Sequence, residues 1–157
     1  MHPDDVMSGA GAAKLGGRFV AVGMKAVYAS DSEETLLQEI RARKSRLGGR
    51  ALIDTDKYPR VTFRIDLRLD RHVSLADGFQ NRALESIRLR CLQADEILTS
   101  QVVGRYLAGA GVQAIVYPSV VSAGNNVVVF LKNTRRSQIV LFNREQVIKQ
   151  IARLRAV

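Results

Sequence analysis

Four polar residues stand at the ends of expected elements and have types that could do chemistry together: Arg18, Tyr28, Glu39 and Ser119. They offer a planar guanidinium fork for phosphate oxygens, an aromatic face, a carboxylate and a hydroxyl. Such a set is able to bind and cleave a dinucleotide. Each member also has an ordinary reading. Taken singly, pattern favours the ordinary reading: Arg18 as a solvated surface arginine, Tyr28 as a core aromatic, Glu39 as the i,i+4 partner of Arg43, and Ser119 as a turn residue after Pro118. Spacing alone leaves both readings open.

Competing chemistries have less to stand on. The sequence holds no G-x-x-x-x-G-K-[ST] phosphate loop, no G-x-G-x-x-G between a strand and a helix, and no G-x-S-x-G elbow. With His2 and His72 as the two histidines, neither a histidine-bound metal nor a serine–histidine–acid triad is expected, and His72 reads as a surface or strand-edge residue. A single cysteine, Cys91, excludes an intramolecular disulfide and a cysteine-rich zinc site, and fits a reducing, cytoplasmic compartment. No apolar run is long enough to cross a membrane, and the acidic start Met1-His2-Pro3-Asp4-Asp5 is unlike a secretory signal. The chain has 157 residues, of which 46% are hydrophobic and 25% charged, as expected for one globular domain with a real core. Its 24 basic residues against 15 acidic ones give a formal charge of +9, which favours a polyanionic partner without naming it.

The elements that must position the four residues follow from periodicity and capping. Residues 1–17, rich in glycine and alanine, read as loop, with 1–7 a flexible terminus. Residues 18–30 read as two short strands broken at Gly23. Ser30 and Glu33 have capping-box spacing for a helix with an apolar stripe of Leu36, Leu37 and Ile40, ended by Gly48-Gly49. Residues 61–69 alternate strictly, with Val61, Phe63, Ile65, Leu67 and Leu69 on one face, which predicts an antiparallel strand with one buried side. A helix is expected over 80–97. A second follows, capped by Thr99 or Ser100 and stopped by Gly111. Strands are expected over 112–117, 127–131 and 138–142, then a helix over 144–155 capped by Asn143, with Val147, Ile148, Ile151 and Leu154 on one side. The irregular interleaving predicts a single α+β domain over 1–157, with mainly antiparallel sheets and flanking helices.

Two stretches carry a family resemblance. The first runs Ser8-Gly9-Ala10-Gly11-Ala12, Gly16-Gly17-Arg18-Phe19, Gly23-Met24, Ala26-Val27-Tyr28-Ala29-Ser30 and Glu33 to Glu39. The second runs Gly104, Leu107, Gly111-Val112-Gln113-Ala114-Ile115-Val116-Tyr117-Pro118-Ser119, then Gly124-Asn125-Asn126-Val127-Val128-Val129-Phe130. Together they resemble the RES domain, a family named for its arginine, glutamate and serine, over roughly residues 8–142. The resemblance implies an ADP-ribosyltransferase-like fold and an NAD-consuming toxin of a bacterial toxin–antitoxin pair. NAD+ would be the substrate. ADP-ribose would pass to a protein side chain, to phosphate or to water.

The resemblance also implies roles. Arg18 would grip the pyrophosphate, and Tyr28 would pack on the nicotinamide or its ribose. Glu39 would bond the ribose hydroxyl and stabilise positive charge as the glycosidic bond breaks. Ser119 would hold the ribose or the arginine, and Gly17, Phe19 and Asn126 would join Arg18, Tyr28 and Ser119 in binding NAD+. An antitoxin with a helix-turn-helix-type region and a protein target are the implied partners, with no membrane partner. The chain departs from the family pattern at Val20 and Ala21, where many members carry asparagine and proline, and at Arg43, where many carry histidine. It also lacks the N-terminal segment that members often carry before the glycine-rich stretch. The alternative from another class is a basic nucleic-acid-binding module using Arg41, Arg43, Lys44, Arg46 and Arg50. Against it, the chain has no tryptophan and 6% aromatics. A third option is a degenerate family member that binds its partner only; the presence of Arg18 and Glu39 speaks against it.

Overall fold

The computed structural model describes residues 7–46, 62–93 and 95–155. In chain order the elements are α1 (Ala10–Leu15), β1 (Ala26–Ser30), α2 (Glu33–Arg46), β2 (Ile65–Leu67), β3 (His72–Ser74), α3 (Arg82–Leu92), α4 (Ile97–Gly109), β4 (Ala114–Pro118), β5 (Asn125–Phe130), β6 (Ile139–Leu141) and α5 (Arg144–Arg155). A four-stranded sheet has the order β1-β5-β4-β3, antiparallel except where β3 runs parallel to β4. A separate antiparallel pair, β2 with β6, forms a second sheet. This is the expected mainly antiparallel α+β class.

Burial follows strand position. In the central strand β5, Val128, Val129 and Phe130 are all almost fully inaccessible, so both faces are covered and the sequence reads as an apolar run rather than an alternation. One face carries the core of Phe19, Val20, Ala26, Leu75, Cys91, Ala108, Ile115, Tyr117, Val128 and Phe130. His72 is exposed on β3, the edge strand, as its sequence position predicts. Gln113 is buried and joins the two sheets. Its Oε1 accepts from the Asp70 and Arg71 amides at 2.8 and 3.0 Å, and its Nε2 donates to the Asn133 carbonyl and Gln138 Oε1 at 3.1 and 3.0 Å.

Several local expectations need correction. The stretch 1–17 is not all loop, because α1 forms between Gly9 at φ 66° and Gly16 at φ 68°. The glycines bracket a short alanine-rich turn rather than dissolving it. Residues 18–30 hold one strand, not two; the segment before β1 turns back on itself, with a bridge between Gly17 and Val20. Ser32, not Ser30, caps α2, its Oγ accepting from the Thr35 amide at 3.1 Å. The alternation at 61–69 survives as half-burial of Phe63, Ile65, Leu67 and Leu69, but regular pairing is confined to Ile65–Leu67; Val61 and the glycines at 48 and 49 lie outside the described residues. Helix α3 ends at Leu92, and α4 begins at Ile97, before Thr99 and Ser100. Ser100 lies inside α4, fully buried, and donates to the Cys91 and Glu96 carbonyls, each at 3.0 Å. In α5, Val147 is buried, so its first turn packs on the domain.

The start of α3 carries an acid-sensitive tie. Asn81 Oδ1 caps it, accepting from the Ala83 and Leu84 amides. Glu85 then receives a two-pronged grip from Arg88 and the Phe79 amide, and these hold its carboxyl well below the usual range, at about 2. The stabilisation is complete above the ordinary value of 4.5 and is lost as pH falls toward 2. In Glu85→Gln the acid limb of the melting-temperature profile between those two values should flatten; an unchanged limb would assign the acid sensitivity elsewhere.

Candidate functional site

The strand register assembles the site. Ser30 on β1, Asn126 on β5 and Tyr117 on β4 are direct cross-strand neighbours, and Tyr28, Val128 and Ile115 form the next row. Side chains in one row share a face, and a shift of two residues keeps it. Apolar rows make the core; at the Ser30 end the same face turns polar. Asn126, buried, accepts from Ser30 Oγ through Oδ1 at 2.8 Å and donates from Nδ2 to Glu39 Oε1 at 2.7 Å.

Helix α2 delivers Glu39 to that row. One turn earlier, buried Thr35 accepts through Oγ1 from the Ser32 and Ser122 hydroxyls, each at 2.9 Å, which ties the 119–124 loop to the helix. A side chain at Gly124 would collide with Thr35 Oγ1 and Asp31, so only glycine allows the loop this close. Ser119 closes the loop: its Oγ accepts from the Val121 and Ser122 amides, both at 3.1 Å, and donates to Glu39 Oε1 at 2.7 Å. Glu39 Oε1 therefore receives two donors. Among the described residues, none is recorded on Oε2.

Arg18 arrives from the opposite side. Its loop rests on α4, where Gln101 Nε2 donates to the Gly17 and Val20 carbonyls at 3.0 and 3.4 Å. Arg18 Nη1 donates to the Cys91 and Gln93 carbonyls, both at 2.8 Å, at the C-terminal end of α3. These are among the carbonyls a helix leaves unpaired, and a cation there also meets the negative end of the helix dipole. One edge of the guanidinium is thereby fixed; no bond from Nε or Nη2 is recorded among the described residues. Gly17 packs against the Tyr28 hydroxyl so closely that a Cβ would overlap it.

Tyr117 reports how near these groups are. Burial pushes its hydroxyl strongly upward, the nearby Tyr28 and Glu39 add to that, and Arg18 opposes it. The hydroxyl is thus a neutral group at ordinary pH, within the field of all three. The Cys91 thiol is also pushed up, first by burial, which makes it a core group rather than a nucleophile.

The expected residues therefore fall into place unequally. Glu39, Ser119 and Asn126 are hydrogen-bonded together, Gly17 packs on Tyr28, and Arg18 is bonded to the end of α3 rather than to the carboxylate cluster. Phe19 lies alongside but its side chain is fully buried, edge-on to Tyr117 with ring centres 4.9 Å apart, so it supports the site from the core and offers no ring to a ligand. Ser119 bonds Glu39, not Arg18. Ser30, Thr35, Gln101, Tyr117 and Ser122 were missed. A signal did exist for Ser30, since it stands two residues beyond Tyr28 on a strand and must share its face.

A cleft of about 1170 Å³ opens beside the cluster, between β1, the glycine-rich Gly9–Gly16 stretch, the start of α2 and residues 62–67. Tyr28 and Ser30 line it, whereas Arg18, Glu39 and Ser119 do not, so the cleft and the carboxylate cluster share Ser30 but are not one cavity. Of the basic run at 41–50, Arg41 is exposed, and the side chains at 43, 44, 46 and 50 lie outside the described residues. Among the described residues, no three His, Cys, Asp or Glu side chains gather as a metal site, and no helix is long and apolar enough to cross a membrane.

The RES domain family model matches residues 2–147. No curated protein matches in sequence. In fold, the chain is similar to one in the crystal structure of the M. tuberculosis MbcT–MbcA toxin–antitoxin complex, with a TM-score of 0.64 at 19% identity, covering 91% of this chain and 82% of that one. The mainly antiparallel α+β fold is thus shared with a chain of that complex.

Proposed function

Since the chain belongs to the RES domain family, we propose that it is the toxin of a toxin–antitoxin pair and cleaves the nicotinamide–ribose bond of NAD+, passing ADP-ribose to a protein side chain, to phosphate or to water. The observation that carries this reading is the half-engaged carboxylate. Glu39 Oε1 is held by Ser119 and Asn126; among the described residues Oε2 has no donor, and it is the oxygen we assign to a ribose hydroxyl. The toxin role draws support from the family and from the fold shared with a chain of a toxin–antitoxin complex.

The chemistry asks little of the protein beyond position and charge. Nicotinamide leaves as a neutral molecule because its nitrogen is already cationic in the substrate. Heterolysis of the C–N bond moves the electron pair onto that nitrogen and positive charge onto the ribose. Glu39 stabilises this developing charge and orients the sugar. Arg18, with one edge anchored on α3, offers its remaining N–H groups to the pyrophosphate. Tyr28 presents its ring at the edge of the cleft to the nicotinamide or its ribose. The acceptor then adds to the ribose and releases its proton. The formal charge of +9 suits both an anionic substrate and an acidic antitoxin surface.

The test is incubation of purified protein with NAD+, following free nicotinamide, with and without phosphate, and ADP-ribose attached to added bacterial proteins. Nicotinamide release is the expected result; its dependence on phosphate or on protein identifies the acceptor. No release under any condition would overturn the reading. Gly17→Ala gives a sharper check. The new methyl displaces the Tyr28 ring end, a movable side chain rather than backbone, so turnover should fall about tenfold or more while the melting temperature changes little. Wild-type turnover in this variant would remove Tyr28 from the site.

A further inference from the structure

We infer that Ser30 is a positioning residue for the reaction, acting through Asn126 to fix which oxygen of Glu39 faces the substrate; the inference rests on the NAD-cleaving reading above. The chain of contacts is short and directional. Ser30 Oγ donates to Asn126 Oδ1 at 2.8 Å, Asn126 Nδ2 donates to Glu39 Oε1 at 2.7 Å, and Ser119 Oγ donates to the same Oε1 at 2.7 Å. Glu39 bears no proton to give when ionised, so the amide must turn its NH2 toward the carboxylate, and its carbonyl oxygen then points at Ser30. Asn126 is 5% exposed, so a carbonyl oxygen left without a donor there is costly. Without the Ser30 hydroxyl the amide loses the contact that fixes its rotation, and Nδ2 is held on Glu39 less firmly.

Ser30 suits this task because of where it stands. It is the last residue of β1, in register with Asn126, and it also lines the large cleft beside Tyr28. The strand that carries the aromatic of the site therefore also sets the rotation of its carboxylate. Ser119 alone would hold Oε1 but leave the plane of the carboxylate free to turn about that contact. A second donor from a different strand fixes the plane, and with it the direction of Oε2.

The consequence is a loss in the chemical step rather than in binding, since the pyrophosphate and the aromatic contacts are untouched. Ser30→Ala is expected to lower kcat for nicotinamide release about tenfold with KM for NAD+ within about twofold of wild type. Ser30→Thr, which keeps a hydroxyl, should recover most of the loss, whereas the near-isosteric Ser30→Val should not. In an Asn126→Ala background, Ser30→Ala should add nothing further, because the two act in series. Wild-type turnover in Ser30→Ala, equal turnover in the Thr and Val variants, or fully additive losses with Asn126→Ala would each overturn the inference while leaving NAD cleavage intact. Should the alanine variant fold poorly, the Thr–Val pair decides alone, with circular dichroism confirming that both are folded. An inactive wild-type protein would instead remove the parent reading, and this inference with it.

Discussion

Glu39→Gln is expected to reduce nicotinamide release by at least about 100-fold while leaving the fold and NAD+ affinity nearly unchanged. The substitution is chosen for what it preserves. Glutamine keeps a carbonyl oxygen where Oε1 now accepts from Ser119 and Asn126, so both donors stay satisfied and the 119–124 loop stays on α2. It replaces the outward oxygen by an NH2 group, which cannot accept from a ribose hydroxyl and carries no charge to oppose the one forming on the sugar. An interaction that matters in the transition state lowers kcat and kcat/KM together, whereas uniform binding would raise KM alone. Initial rates measured beside NAD+ titrations by calorimetry separate the two. Retention of wild-type rate would take Glu39 out of the chemistry, and loss of NAD+ binding would recast it as a binding residue.

The largest effect on stability is expected at Gly104→Ala. In a solvent-facing helix this change stabilises, by up to about 1 kcal/mol, because alanine is the better helix former. Here the sign reverses. A Cβ at position 104 would overlap the backbone carbonyl of Phe19, and no side-chain rotation can relieve a clash with backbone. Helix α4 would have to withdraw from the loop it supports. A destabilisation of roughly 2–4 kcal/mol follows, a fall of about 5–15 °C in melting temperature. The internal control is Gly109→Ala near the end of the same helix, where a Cβ meets nothing within 4 Å. That variant should melt at or slightly above the wild-type temperature. Equal behaviour of the two would refute the contact. Because Phe19 adjoins Arg18, Gly104→Ala should also weaken the arginine's hold on substrate.

The same two positions show what sequence can and cannot reveal. Local signals are legible: the glycine turn at 111 with φ 80°, the strand through Ile115, and the order of the four polar residues. Long-range assembly is not. Glu39 meets Asn126 and Ser119 across more than seventy intervening residues, a pairing fixed by how α2 packs on β5 and the 119–124 loop rather than by any local pattern. Family resemblance brought the glutamate, serine and asparagine to attention together, but not the bonds among them. Ser30 was read as a helix cap because Glu33 stands three residues on; the strand simply runs to Ser30 and the cap falls to Ser32. The resemblance implies an NAD+ contact for Phe19, yet its side chain is fully buried, because neighbours in an irregular turn point to different sides. The strand pattern at 61–69 was strong, but an alternation shows which face is apolar, not how many residues find a partner.

The anchoring of Arg18 on the last carbonyls of α3 makes this arginine a member of two equilibria at once. The ends of helices fray more readily than whole domains unfold. Whenever the final turn of α3 opens, the guanidinium loses its fixed edge and samples other directions. The fraction of molecules ready for a pyrophosphate then falls, and apparent affinity falls in the same proportion. Warming should therefore erode substrate capture before it melts the core.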